Sequence, residues 1–419
     1  MLLPNGSRDM TFTGVNGGGK ITPWNDQYYV GAGTGIYRLN ADFLLDNTFL
    51  MYTDPLHNLL QGGDYHVYPD GRVLMNGVHV LHDTVRGYLG LHCLCWFSNT
   101  GYLDTTAHHR TCYGSLDFFT ELPNGQFIGS GSTSVWDGQP ASNIIRFNAD
   151  GALDTTFQAH VWWGQAYGFL PLPNGRVYAG GNFMIEGIAD TLNLVRFLSD
   201  GSLDPTFNNH LDFQIVEMTN FPYGPLVRSI TAIGQDRLIV SGNIEQVEGH
   251  LRRGICLVDT SGNLVDDYFT GPGCGNFAYQ GDTASGISGI TTAPDGSYYI
   301  WGAYHGYDDG TTNDPGQRMV SRLYGLDVGI HEQAANRLHH LVIAPNPSAG
   351  STVLSVEKPL GPGMLTVHDA SGRVVLSKGW PAGTYTHTLR AGALAPGSYL
   401  LHVQEEQGAI YSGKLILLP

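Results

Sequence analysis

The sequence predicts an all-β chain: a six-bladed β-propeller of four-stranded antiparallel blades, followed by a small Ig-like β-sandwich. Three observations carry this. A segment built on LDxTF returns along the chain as far as residue 269, Asn-Gly and Asp-Gly turns separate short apolar runs throughout, and the pattern of units breaks near residue 326. With 57 glycines, 22 tyrosines and only 14% charged residues, the composition suits closely spaced turns between short strands.

The recurring segment reads NADFLLDNTF at 40–49, NTGYLDTTA at 99–107, NADGALDTTF at 148–157, LSDGSLDPTF at 198–207 and DTSGNLVDDYF at 259–269, with a partial GSRDMTF at 6–12. A period of roughly 50 residues marks a repeat architecture. Within each unit an apolar strand meets a turn such as YPDG (68–71), LPNG (122–125 and 172–175) or APDG (293–296), whose Asn-Gly or Asp-Gly pair suits a two-residue hairpin. A second strand with a glycine-rich end follows, at 27–35, 72–80, 126–132, 176–183, 237–244 and 297–304, which makes six units. The last unit ends at 319–326 without its LDxTF, so the spare N-terminal copy is expected to close the last blade as its outer strand. Seven blades would need residues upstream of Met1.

The repeated acids Asp9, Asp46, Asp104, Asp154, Asp204 and Asp266 could be read as one ligand per blade. An Asp just after a turn more simply accepts hydrogen bonds from local backbone, and the Phe three residues on packs between blades. They are therefore expected to hold the scaffold together.

Units ending in GxLDxxF, with an NG turn and a GGNF-like strand end, resemble the delta-60 repeats of bacterial exported β-propellers. The resemblance covers roughly residues 1–326 and is clearest at 115–210. It speaks to fold, and fold does not determine function.

Residues 325–340 break the pattern, so the expected domains are a propeller over 1–326, a linker over 327–340 and a distinct domain over 341–419. Alternating strands at 340–356, 364–377, 384–390 and 397–418 predict the sandwich. This domain resembles the type A C-terminal sorting domain of the type IX secretion system of Bacteroidota. The resemblance rests on Pro345, Asn346, Pro347 and Gly350; on Val367, Asp369, Gly372, Arg373, Val374 and Val375; on Leu394, Pro396, Gly397, Tyr399, Leu400 and Leu401; and on GKLIL at 413–417, which contains Lys414. Ala344 stands where the family often has Tyr. The resemblance implies passage through the periplasm and the outer membrane, recognition by the translocon and its processing machinery, and release or attachment to surface lipopolysaccharide. An N-terminal export signal is expected upstream of Met1.

Charge narrows the partners. Of a formal net charge of -16, residues 1–341 carry more than all, with 16 basic against 33 acidic residues, a surface that repels phosphate backbones. Nucleic acid is not expected, no apolar run is long enough for a spanning helix, and the chain is expected to act as a monomer. The five cysteines leave an odd one: Cys112 could pair with Cys93 or Cys95, and Cys256 with Cys274, or all could be buried free thiols.

Candidate chemistry is sparse. His79, His82, Asp83, His92, Cys93, Cys95, His108, His109 and Cys112 cluster in the second unit, yet their spacing matches no zinc knuckle. Asp308, Asp309, Asn313 and Asp314 offer oxygens suited to calcium, in a loop without the EF-hand's terminal Glu. Trp136, Trp162, Trp163 and Tyr304 are candidate platforms for sugar rings. No nucleophile elbow, HExxH motif or P-loop is present, so no catalytic or cofactor-binding residue is assigned. The expected function is an exported surface or secreted binding module for a glycan or protein ligand. The alternative is a secreted polysaccharide hydrolase or lyase with convergent acids at the propeller axis.

Overall fold

The computed structural model describes residues 10–11, 19–32, 35–51, 54–216, 224–279, 282–293, 296–326, 338–369, 373–392, 394–405 and 410–418. Every regular element among them is a β-strand, and the chain divides into two compact units, 1–327 and 328–419.

Among the described residues the first unit has six antiparallel sheets built on the central strands predicted from the glycine-rich segments, and three smaller ones at 112–140, 213–251 and 277–284. The central strands are Gln27–Ala32, Val73–Asp83, Phe127–Ser130, Val177–Ile185, Arg237–Asn243 and Tyr298–Asp308. The expectation of four full strands per unit is corrected in the first five. Three strands pair fully, and the fourth position is reduced to one bridge made by the leucine of the repeat: Leu39 with Leu45, Phe97 with Leu103, Phe147 with Leu153, Phe197 with Leu203 and Val258 with Leu264. The sixth sheet gains a short extra strand, Gly273–Cys274. The copy at 6–12, proposed to close the series, lies outside the described residues apart from Met10 and Thr11.

The turns also differ from the expected two-residue hairpins. At 122–126 the Leu122 carbonyl accepts from Gly125 N at 2.9 Å while Leu122 N donates to Gln126 O at 2.7 Å, which closes a three-residue loop. Pro123 suits the first central position of a type I turn, and only Gly125 takes a positive φ, 80°. The same bonding recurs at 68–72, 148–152, 172–176 and 198–202.

Consecutive sheets bury their apolar faces against each other, so five core clusters each span one seam. Tyr29 and Phe49 meet Tyr65 and Phe97 at the first; Phe157, Val195 and Ile128 share the third; Phe207 and Tyr178 meet Val240 at the fourth. Among the described residues no cluster joins the sixth sheet to the first.

The repeated Asp works with an Arg eight residues earlier. Arg38, Arg146 and Arg196 donate Nε to Asp46, Asp154 and Asp204 at 2.7, 2.8 and 2.8 Å, while the other carboxylate oxygen accepts from the Thr two residues on. The same guanidinium reaches the turn carbonyl of the next unit: Asn99, Ser199 or Thr260. It also lies 5.0–5.2 Å over the repeat's Phe ring, a cation–π contact. In the second unit Trp96 occupies the Arg position, and Arg110 reaches the Asp150 carbonyl from another direction at 3.0 Å.

In the fifth unit the assignment of Asp266 to the repeat is corrected. The bridge between Val258 and Leu264 places Val265 at the Asp position and Leu257 at the Arg position, so the latch there is apolar. Phe269 takes φ 52° to absorb the extra residue and reach the seam core, while Asp266 faces solvent beside Arg252.

In the second to fifth units the turn glycine of the repeat, Gly101, Gly151, Gly201 or Gly262, packs on the preceding unit. A Cβ on Gly201, φ 89°, would stand 2.5 Å from Gln158 N, so this seam admits glycine alone.

The second unit has a five-stranded sheet, ordered Leu338–His340, Ile410–Leu417, Gly397–Glu405, Gly363–His368 and Val374–Trp380, and a three-stranded sheet of Val342–Ala344, Ser351–Leu360 and Thr384–Arg390. Leu354 and Leu389 from the smaller sheet share one core with Leu365, Leu401 and Leu415 from the larger. Of the proposed linker 327–340, residues 327–337 lie outside the described residues and 338–340 form the edge strand Leu338–His340 of this unit.

Candidate ligand-binding groove and C-terminal sorting motif

The four candidate aromatics separate by burial. Trp136 is fully buried, stacked on Phe147 with its indole N–H on the Gly151 carbonyl at 3.0 Å. Tyr304 is also fully buried, its hydroxyl 2.7 Å from Ser321 Oγ. Neither can reach a ligand, which corrects both expectations. Trp162 and Trp163 remain 59% and 44% exposed.

Both tryptophans look outward because the strand Val161–Pro171 begins with a bulge. Val161 pairs with Ile185 and Trp163 with Met184, leaving Trp162 as the extra residue. The strand's start is fastened to the third sheet: Val161 N donates to Ser142 Oγ at 2.9 Å, Ser142 Oγ donates to Val161 O at 2.8 Å, and Asn143 Nδ2 donates to Gly164 O at 2.7 Å. A rigid seam thus carries the aromatic pair. Beside it runs a groove of about 570 Å³ lined by Ser134, Ser142, Asn143, Gln158, His160, Trp162 and Glu186. A flat apolar ring bordered by hydroxyls, amides and an imidazole–carboxylate pair is the chemistry that captures polyhydroxylated ligands.

Sequence reasoning missed Trp301, 41% exposed. The signal was there: in SYYIW the alternation buries Tyr298 and Ile300 and turns Trp301 outward, against Gly289 across a bulge.

The loop acids are engaged by their own backbone. Asp308 Oδ1 accepts from Gly310 N, Asp309 Oδ1 from Thr311 N and Thr312 N, and Asp314 Oδ1 from Gly316 N, while Asn313 pairs with Asp308 across the hairpin. These bonds hold turns together, and no group of three metal-ligating side chains converges among the described residues. Of the candidate histidines of the second unit, His82 and His108 are exposed, while His79 is buried beside His57 and His109 packs on Trp96. His57 Nε2 and His79 Nδ1 share a hydrogen bond at 2.9 Å, and burial pushes His57 down to about 4, His79 to about 3 and His109 to about 4.

For the axial alternative, Asp64 and Asp117 line one pocket of about 580 Å³ with Lys20, Gln61 and Gln165. Burial raises Asp117 against an opposing Ser115 hydrogen bond, while Lys20 already neutralises Asp64 at 3.1 Å.

The sorting-motif residues build the end of the second unit. Asn346 clamps the last strand from both sides, its Nδ2 donating to Lys414 O at 2.6 Å and its Oδ1 accepting from Ile416 N at 2.9 Å. Pro345 O accepts from Thr352 Oγ1 at 2.9 Å, and the Gly350 carbonyl accepts from Ala391 N at 2.7 Å. Asp369 accepts from Arg373 N and pairs with its guanidinium at 3.2 Å, while Gly372 lies outside the described residues. The Tyr399 hydroxyl donates to Ala395 O at 2.6 Å, pinning the turn that leads through Gly397 into its strand.

Two families match the chain. A domain of unknown function described as the DUF5122 beta-propeller matches residues 122–157 and 172–207, and the secretion system C-terminal sorting domain matches residues 342–418. No curated protein matches. Among solved structures, two of the extracellular domain of a protein from B. thetaiotaomicron, provisionally described as a hybrid two component or a one component system, align over 95% of this chain. They share 10% and 9% identity with TM-scores of 0.39 and 0.35. The chain spans about half the length of these proteins, 50% and 49%. A provisionally described exported protein from Bacteroides fragilis aligns over 75% of this chain and 92% of its own, at 9% identity and TM-score 0.34. No helix among the described residues is long and apolar enough to cross a membrane. On the two family matches, this chain carries β-propeller repeats of the delta-60 kind, followed by a type IX secretion C-terminal sorting domain that addresses it to the outside of the cell.

Proposed function

We propose that this protein is an extracellular glycan-binding module: a six-bladed propeller delivered by an Ig-like sorting domain and acting as a monomer at the outer-membrane surface or free in the medium. The observation that carries the reading is the adjacent exposed pair Trp162 and Trp163, displayed by a bulge beside the 570 Å³ groove. Sheets pinned to each other hold such a platform still, so little ordering is needed on binding. The acidic surface disfavours anionic polymers and favours neutral ones. The translocon and its processing machinery are the partners of residues 342–418, with surface lipopolysaccharide as the anchor where the cargo is retained.

The test is a glycan array probed with the protein purified from culture, followed by titration of any retained glycan against Trp162→Ala and Trp163→Ala. About fivefold weaker binding by each variant is expected, as stacking contributes about 1 kcal/mol beyond buried area. Undiminished binding would remove the groove from consideration. Turnover of the same polysaccharides, abolished by Asp117→Asn, would instead support a hydrolase or lyase.

A further inference from the structure

The five cysteines are all thiols in the structure, but they are not equivalent. Strand alternation alone would put Cys93 and Cys95 on one face of the strand Gly87–Phe97. A bulge separates them. Arg110 O accepts from both Cys93 N at 2.8 Å and Leu94 N at 3.4 Å, while Arg110 N donates back to Leu94 O at 2.9 Å, so two residues stand opposite one. Cys93 therefore turns to the side of Leu94 and enters the core of the second seam with Leu116 and Trp136. Cys95 stays on the opposite face with Tyr65 and Phe97.

Cys112 lies two residues beyond Arg110 on the approaching segment, packs against the Cys93 side, and is partly exposed. Cys112 Sγ lies 3.7 Å from the Gly114 carbonyl on the edge of that same cluster, and the Cys93 thiol is pushed up by burial and by its neighbour Cys112. The remaining cysteines have no such neighbour: Cys256 faces the fourth seam with Val240, and Cys274 faces the fifth with Tyr304.

We infer that Cys93 and Cys112 are a disulfide-forming pair, oxidised after export, which staples the second sheet to the strand Cys112–Tyr113 across a seam. The oxidant is a thiol–disulfide oxidoreductase in its disulfide form. The Cys112 thiolate, the accessible one, attacks one sulfur of the oxidant's disulfide and releases the other as a thiolate. Cys93 loses its proton and attacks Cys112 Sγ in the mixed disulfide, expelling the oxidant's remaining thiolate. The chain loses two protons and two electrons, and the oxidant becomes a dithiol.

The full-length protein collected from culture medium, with free thiols blocked by N-ethylmaleimide at harvest, should give one disulfide-linked peptide pair containing Cys112. Cys256 and Cys274 should carry the blocking group. Cys95→Ser should retain the linked pair, and Cys93→Ser and Cys112→Ser should each lose it. Reduction should lower the melting temperature of the native protein by about 4 °C, a shift absent in Cys112→Ser. Blocked Cys93 and Cys112 in the native exported protein would overturn the inference, as would a linked pair that survives Cys93→Ser. If Cys93→Ser fails to fold, mapping of the native protein after cleavage at Leu94, between Cys93 and Cys95, decides which of the two is linked.

Discussion

Arg196 donates from Nε to Oδ2 of Asp204 at 2.8 Å, and both side chains are almost wholly buried, at 7% and 1% exposure. The other end of the same guanidinium ties into the Thr260 carbonyl of the following unit at 2.6 Å. One residue thus joins the repeat's acid, its Thr206 hydroxyl, its Phe207 ring and the neighbouring turn.

Arg196→Met should destabilise the full-length protein by about 3 kcal/mol in urea unfolding, because it leaves the buried Asp204 with only the part-exposed Arg176, 3.1 Å away, as counter-charge. The double change Arg196→Leu with Asp204→Val should recover much of that loss, since Leu257 and Val265 already fill the equivalent positions of the fifth unit. A double variant no more stable than the single one would show that the charge pair itself, and not the avoidance of an orphan charge, maintains the seam.

Stability should fall in two steps on acidification. His57, His79 and His109 are held neutral in the fold at about 4, about 3 and about 4, below the ordinary 6.5. The unfolded chain therefore takes up protons first as pH drops through 6.5, and stability declines from there toward about 4. Asp46 and Asp154 act lower. Burial opposes their ionisation, but hydrogen bonds from Thr48 and Arg38, and from Thr156 and Arg146, hold both at about 2, so their contribution is present above about 3.8 and fades toward 2. Melting temperature measured from pH 8 to 3 should show the first decline, and His57→Gln should flatten it. An unchanged slope in that variant would place the pH dependence elsewhere.

Asn346→Ala should loosen the C-terminal strand without unfolding its unit, because it removes two hydrogen bonds at Lys414 O and Ile416 N. Amide exchange at 414–417 should accelerate by roughly tenfold, corresponding to about 1–2 kcal/mol. Export into the medium should drop in parallel. Faster exchange with undiminished export would separate the strand's order from its recognition.

Much of this was legible in the chain. The central strand of every unit, the turn glycines and the packing Phe residues follow from local chemistry, whereas the sorting motif is legible as spaced residues although Asn346 meets Lys414 and Ile416 only in the fold. Bulges defeated the rest. Tyr304 is inside because register shifts change which face its strand presents, Trp136 is inside because its ring stacks on Phe147 in a seam core, and nothing local distinguishes them from Trp162. The misplaced Asp266 has the same origin, one extra residue that only the bridge between Val258 and Leu264 reveals.

The sequence by itself determined the repeat, the all-β class, the two-part organisation and the address, since each is written in spacing and turn chemistry within a few tens of residues. Only the tertiary structure decided which Arg meets which Asp, which tryptophans face solvent and which cysteines share a face. Those outcomes depend on where one residue is inserted into a ladder of period two, and a single insertion reverses the direction of every side chain beyond it.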